Sequence, residues 1–84
     1  MYDVILDSDA LEFLEKADKK LAKRIWDKIM STKPEPHHFF EKLTGRQDHK
    51  LRIGDYRAIA DIQDTTKIIE ITLIGHRKNI YKKT

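Results

Sequence analysis

Three basic side chains in the stretch Lys50-Leu51-Arg52-Ile53-Gly54-Asp55-Tyr56-Arg57 mark where chemistry can happen. If Gly54 and Asp55 form a two-residue hairpin turn, Ile53 faces Tyr56, Arg52 faces Arg57, Leu51 faces Ala58 and Lys50 faces Ile59. Alternation then puts Lys50, Arg52 and Arg57 on one face and Leu51, Ile53 and Ala58 on the other. The apolar set turns toward a core. The cationic set lies on the open face, with the Arg57 guanidinium beside Arg52. Like charges directly opposite each other cost on the order of a few tenths to 1 kcal/mol. An anion held between them removes that cost, and so, at a solvated surface, does simple splaying of long side chains into water.

A second group follows in Gly75-His76-Arg77-Lys78-Asn79-Ile80-Tyr81-Lys82-Lys83. Histidine titrates nearest neutrality of all side chains, so His76 is a natural general acid or base. Arg77 has the planar fork that suits phosphate. Tyr81 can stack on a nucleobase or take part in proton transfer. Lys78, Lys82 and Lys83 add positive charge. Each residue alone reads as a solvated or packing side chain. With the first group, at the ends of adjacent strands, they outline a phosphate cleft.

Other chemistries find little support. Adjacent residues such as His37 and His38 point apart on a regular element, no HExxH occurs and there is no cysteine, so neither a metal site nor a cofactor is expected. Ser8 and Ser31 are the only serines and neither sits in a nucleophile elbow. Trp26 reads as a core residue rather than a binding platform.

The elements that must position these groups follow from periodicity. Residues 2–6 read as a short strand. Asp9 and Glu12 have capping-box spacing, and Asp7, Ser8 or Asp9 can start a helix. Ala10, Phe13, Leu14 and Ala17 recur at helical spacing. Asp18 can cap a second helix whose stripe is Leu21, Ala22, Ile25, Ile29 and Met30, although one long helix also fits. Pro34 and Pro36 stop it. Residues 37–45 show no clear period. Residues 50–53 and 56–62 form the hairpin. Residues 67–74 form a further strand with apolar side chains on both faces, the mark of a central strand covered at least partly on both sides. The expected fold is α+β, in the order β-α-α-β-β-β. An N-terminal helical hairpin packs on a mainly antiparallel sheet.

With 84 residues the chain is expected to be one domain, 1–84. The absence of cysteine fits the reducing cytoplasm, and no apolar run approaches a membrane span or a secretory leader. Seventeen basic and fourteen acidic residues give a net charge of +3. Residues 1–40 carry net −1 and residues 41–84 net +4. That asymmetry points to an anionic partner for the C-terminal half, nucleic acid first.

The stretches Lys42-Leu43-Thr44-Gly45, Lys50 through Arg57 and Gly75-His76-Arg77 through Tyr81 resemble the signature of the RelE/ParE toxin superfamily, and the resemblance covers nearly the whole chain. It implies a microbial-ribonuclease-like fold and the toxin half of a type II toxin–antitoxin system, neutralised by a RelB-like antitoxin in a hetero-oligomer. For a RelE-type member it implies a metal-independent endoribonuclease. Such an enzyme cuts messenger RNA in the ribosomal A site, stops translation, and leaves a 2′,3′-cyclic phosphate and a 5′-OH. By the same resemblance Arg57 stabilises the phosphorane-like transition state. Arg77 lies near the leaving 5′ oxygen, Tyr81 stacks on RNA and assists the 2′-OH, and Lys50 matches a catalytic lysine. Arg52 stands where a second lysine is expected, and an arginine cannot give up its proton, so Lys50, His76 or Tyr81 remains as the base. His76 replaces a basic residue of some relatives. With Arg52, Lys78, Lys82 and Lys83 it falls among the expected RNA contacts. The C-terminal helix of some relatives is expected to be missing or reduced. A ParE-type member would instead poison DNA gyrase, and a non-catalytic RNA-binding module is the third alternative.

Overall fold

A computed structural model describes residues 1–82. The chain runs β1 (Asp3–Leu6), α1 (Ser8–Lys16), α2 (Lys19–Ser31), α3 (Pro36–Phe39), β2 (Glu41–Lys42), β3 (His49–Ile53), β4 (Tyr56–Gln63) and β5 (Ile68–His76), followed by a 3-10 turn at Ile80–Lys82. One sheet has the order β1-β5-β4-β3-β2. The β1–β5 pair is parallel and the other three are antiparallel. The expected α+β fold is therefore present. It gains α3 and β2 from the stretch that shows no period.

The two helices separate at Ala17-Asp18. Ala17 is extended, and the Asp18 carboxylate accepts a hydrogen bond from the Leu21 N–H at 3.0 Å, so a new helix starts rather than the first continuing. The capping box does not form. Asp7 is the N-cap of α1 and its side chain makes no cap bond. That carboxyl meets Glu70 on β5 instead. The hydrogen bond and charge of Asp7, then burial, then Asp61, hold the Glu70 carboxyl above its ordinary range.

Helices α1 and α2 bury Ala10, Ile25 and Ile29 against Leu51, Ala58, Ile71 and their neighbours on one face of the sheet. Fully burying an aliphatic side chain of this size contributes about 1.5–3 kcal/mol. Trp26 is not among them: it lies at the border of α2, 36% exposed. The i+4 spacing that turns Ile25 and Ile29 inward carries Trp26 about 100° round the helix from Ile25.

A bulge in β5 explains its apolar residues on both faces. Ile59 pairs with Leu73 and Ala60 with Ile71, so Thr72 is the extra residue, and its hydroxyl donates to the Ile59 carbonyl at 3.3 Å. The inserted residue shifts the alternation, and Ile69, Ile71 and Ile74 all join the same core. Leu73 and Gly75 face the other way.

Candidate functional site

The hairpin register is the one its turn dictates: Ile53 opposite Tyr56, Arg52 opposite Arg57, Leu51 opposite Ala58 and Lys50 opposite Ile59. Gly54 takes φ +59, which a side chain would strain. Lys50, Arg52 and Arg57 thus share the face of the sheet that the helices leave open. Gly75 of β5 continues their row, opposite Arg57.

Arg57 departs from the expectation that its guanidinium is open. It is only 8% exposed. Its Nη1 donates to the carbonyls of Gly54 at 2.7 Å and Tyr56 at 2.8 Å, so the side chain closes back on its own turn. The C-terminal tail returns over the same face. Ile80 is buried, and its side chain lies 3.6 Å from where a Cβ on Gly75 would stand. Nη1 has no further hydrogens to give, while Nε and Nη2 keep three donors. Arg57 is a fixed guanidinium rather than a mobile one.

Arg77 sits at the rim. Its backbone N–H donates to the Asp55 carbonyl at 2.8 Å, and Nη1 lies 3.8 Å from the Asp55 carboxylate. Sequence reasoning misses Asp55 as a partner because the turn meets the end of β5 only in three dimensions. It also misses Glu41, opposite Lys50 in register, with Oε2 4.0 Å from Nζ. Tyr81 follows Ile80 in the final turn and is 45% exposed. Lys78 is exposed in the turn after β5, Lys82 closes the 3-10 turn, and Lys83 lies outside the described residues.

His76 does not join the cations. Register places it opposite Tyr56, on the helix side of the sheet, and the two rings meet edge to face at 5.3 Å. Its Nδ1 accepts from the Lys78 N–H at 3.1 Å. The ring borders a groove of about 630 Å³ with Phe13 and Asn79. One residue of alternation separates it from the face it was expected to serve.

At the opposite end of the sheet Asp64 accepts from the Tyr2 hydroxyl and bonds His37 Nε2, both at 2.7 Å. Those two bonds lower the Asp64 carboxyl, and the first of them raises the Tyr2 phenol. His49 packs edge-on to His37 at 5.5 Å. Burial first, then the charges of His37 and Lys42, push its imidazole below the ordinary value. Lys67 lies over the Tyr2 ring. No group of three or more His, Asp or Glu among the described residues could hold a metal ion, and no helix among them is long and apolar enough to cross a membrane.

A helical pair thus packs on one face of a five-stranded sheet, and cations lie on the other. A family model described as the ParE toxin of the type II toxin–antitoxin system parDE matches residues 4–81, and the chain belongs to that family. It is the toxin component of a type II toxin–antitoxin system. The fold is similar to that of solved RelE structures. A RelBE toxin–antitoxin complex from Mycobacterium tuberculosis gives a TM-score of 0.83 at 22% identity over 90% of this chain and 98% of that one. The isolated E. coli RelE toxin gives 0.77 at 18% identity, over 90% and 84%. A RelE–RelB complex from Pyrococcus horikoshii gives 0.75 at 25%, over 90% and 94%. A search of curated protein sequences finds no match.

Proposed function

We propose that this toxin is a ribosome-dependent endoribonuclease that cleaves messenger RNA in the A site. The observation that carries the reading is the row Lys50, Arg52 and Arg57 on the sheet face away from the helices, with the tail bearing Arg77 and Tyr81 folded across its end. In the reaction a 2′-oxygen attacks the adjacent phosphorus as its proton leaves, the bond from phosphorus to the 5′ oxygen breaks, and that oxygen takes up a proton. The products are a 2′,3′-cyclic phosphate and a 5′-OH. Arg57 stabilises the charge gathering on the phosphoryl oxygens. Its anchorage on two carbonyls means that little reorganisation is needed in the transition state. Arg77 acts at the leaving oxygen, Tyr81 stacks on a base, and Lys50 promotes loss of the 2′-OH proton. Arg52, Lys78, Lys82 and Lys83 hold phosphates. The proton-transfer apparatus is sparse, which suits an enzyme whose substrate is oriented by the ribosome.

In this reading the protein works in the cytoplasm, in complex with a RelB-like antitoxin until released. Toeprinting on translating ribosomes tests it: a cut within the A-site codon supports the reading, and intact message at saturating toxin removes it. One observation favours a second reading. The matching family model is that of ParE toxins, so inhibition of DNA gyrase is the alternative. Supercoiling assays with purified gyrase separate the two.

A further inference from the structure

The hairpin tip carries a fourth arginine that no motif marks. Gly54 has φ +59, and the space a Cβ would occupy is filled by the Arg24 guanidinium, which reaches over from α2. The same residue receives Arg57 Nη1 on its carbonyl, and the next, Asp55, faces Arg77. Arg52 is paired with Arg57 across the strands. Three guanidinium groups, from α2, β4 and the turn after β5, therefore meet at two turn residues, with Arg52 opposite Arg57 in register. Among the described residues neither Arg24 nor Arg52 has a hydrogen-bond or ion-pair partner. Elsewhere on the helices Lys16 is bound to Glu12 and Lys23 to Asp27. Arg24 is also placed differently from the others. It comes from a helix on the core side of the sheet, whereas Arg52 and Arg57 lie on the open side.

Resting on the ribosomal reading above, we infer that the β3–β4 tip is a two-sided phosphate clamp in which Arg24 binds ribosomal RNA backbone on the helix side while the open side takes the message. An arginine with five donors, lying against a turn and without a carboxylate partner among the described residues, is suited to a phosphate oxygen pair. Two strands of polyanion on either side of the tip offset the mutual repulsion of the guanidinium groups. Arg24 is then a binding residue and takes no part in the chemical step.

The test is binding to ribosomes programmed with a defined message, measured across a salt series for wild type, Arg24→Gln, Arg24→Lys, Arg52→Gln and Lys33→Gln. Lys33 lies beside Tyr2 at the far end of the sheet, and its removal alters net charge equally. Losing one phosphate contact lowers the slope of log affinity against log salt by about 1. Arg24→Gln should show that loss and Arg24→Lys should recover affinity. Lys33→Gln should match wild type. An unchanged slope in Arg24→Gln, with a reduced slope in Arg52→Gln, overturns the clamp and leaves the ribosomal reading standing. So does a lowered melting temperature with ribosome affinity intact, which would make Arg24 a brace for the turn. Absence of wild-type binding to ribosomes overturns both.

Discussion

The two ends of the sheet use charge in opposite ways. At the β4–β5 end, Asp64 receives Tyr2 and His37, His49 leans on His37, and Lys67 covers the Tyr2 ring. The groups satisfy one another and tie α3 and the N-terminus to the sheet. At the β3–β4 end Arg24 and Arg57 meet Gly54, Arg52 stands opposite Arg57, and Arg77 lies 3.8 Å from the Asp55 carboxylate. Among the described residues the backbone supplies guanidinium acceptors there only for Arg57. A charge set that is closed on itself stabilises the fold. One left open keeps its donors for a ligand, at some cost in self-repulsion.

The sharpest way to break this contrast is Arg57→Ala. Single-turnover cleavage on ribosomes should fall by about 10²–10³, the usual loss for one electrostatic donor of a transition state, while binding persists. Wild-type cleavage by this variant would relocate the active site and raise the gyrase reading. Ile80→Ala comes next. It removes the buried anchor that lays the tail over Gly75, and should cost about 2–5 kcal/mol in denaturant unfolding. Gly54→Ala should cost about 1–2 kcal/mol through the left-handed backbone alone, and it also evicts the Arg24 guanidinium. Thermal melts at neutral pH rank the two.

The closed end should answer to pH instead. The folded His49 imidazole lies below its unfolded value, so the unfolded chain binds more protons in the interval between them. Stability from this source is present above the ordinary histidine value and is lost as pH falls toward the lower folded one. Asp64 acts in the same direction further down, as its bonds to Tyr2 and His37 are lost when the carboxylate protonates. His49→Gln should flatten the upper part of the stability–pH curve, and Tyr2→Phe the lower part. These are the smallest effects, because His37 and Asp64 are about half exposed.

The Gly54-Asp55 turn makes the hairpin register legible in the sequence alone, because a two-residue loop fixes every pair on either side. The cation row comes with it. Alternation also holds the reason that His76 lies apart: two residues from Ile74, it shares the core side of β5. The bulge at Thr72 carries no sequence signal, since an extra residue between apolar neighbours looks like a strand covered on both faces. Alternation puts Arg57 on the right face but says nothing of its burial, which is a matter of three-dimensional contact. Arg24 is invisible to periodicity for the same reason: it meets Gly54 across 30 residues, with α3, β2 and β3 between.

The parallel pairing of β1 with β5 has a consequence for how the molecule comes into being. Asp3–Leu6 finds its strand partner at Ile68–Ile71, some 65 residues later. Helices and the β3–β4 hairpin close short loops and form early, but β1 must wait for β5. During synthesis the first strand leaves the tunnel long before its partner exists. The sheet and the tail that packs on Gly75 are completed together, after β5 has emerged. Pulsed hydrogen exchange during refolding should therefore protect the β1 amides in step with those of β5 and later than those of β3. The order of assembly itself keeps the nascent toxin unfinished until the strand that carries its tail is free of the ribosome.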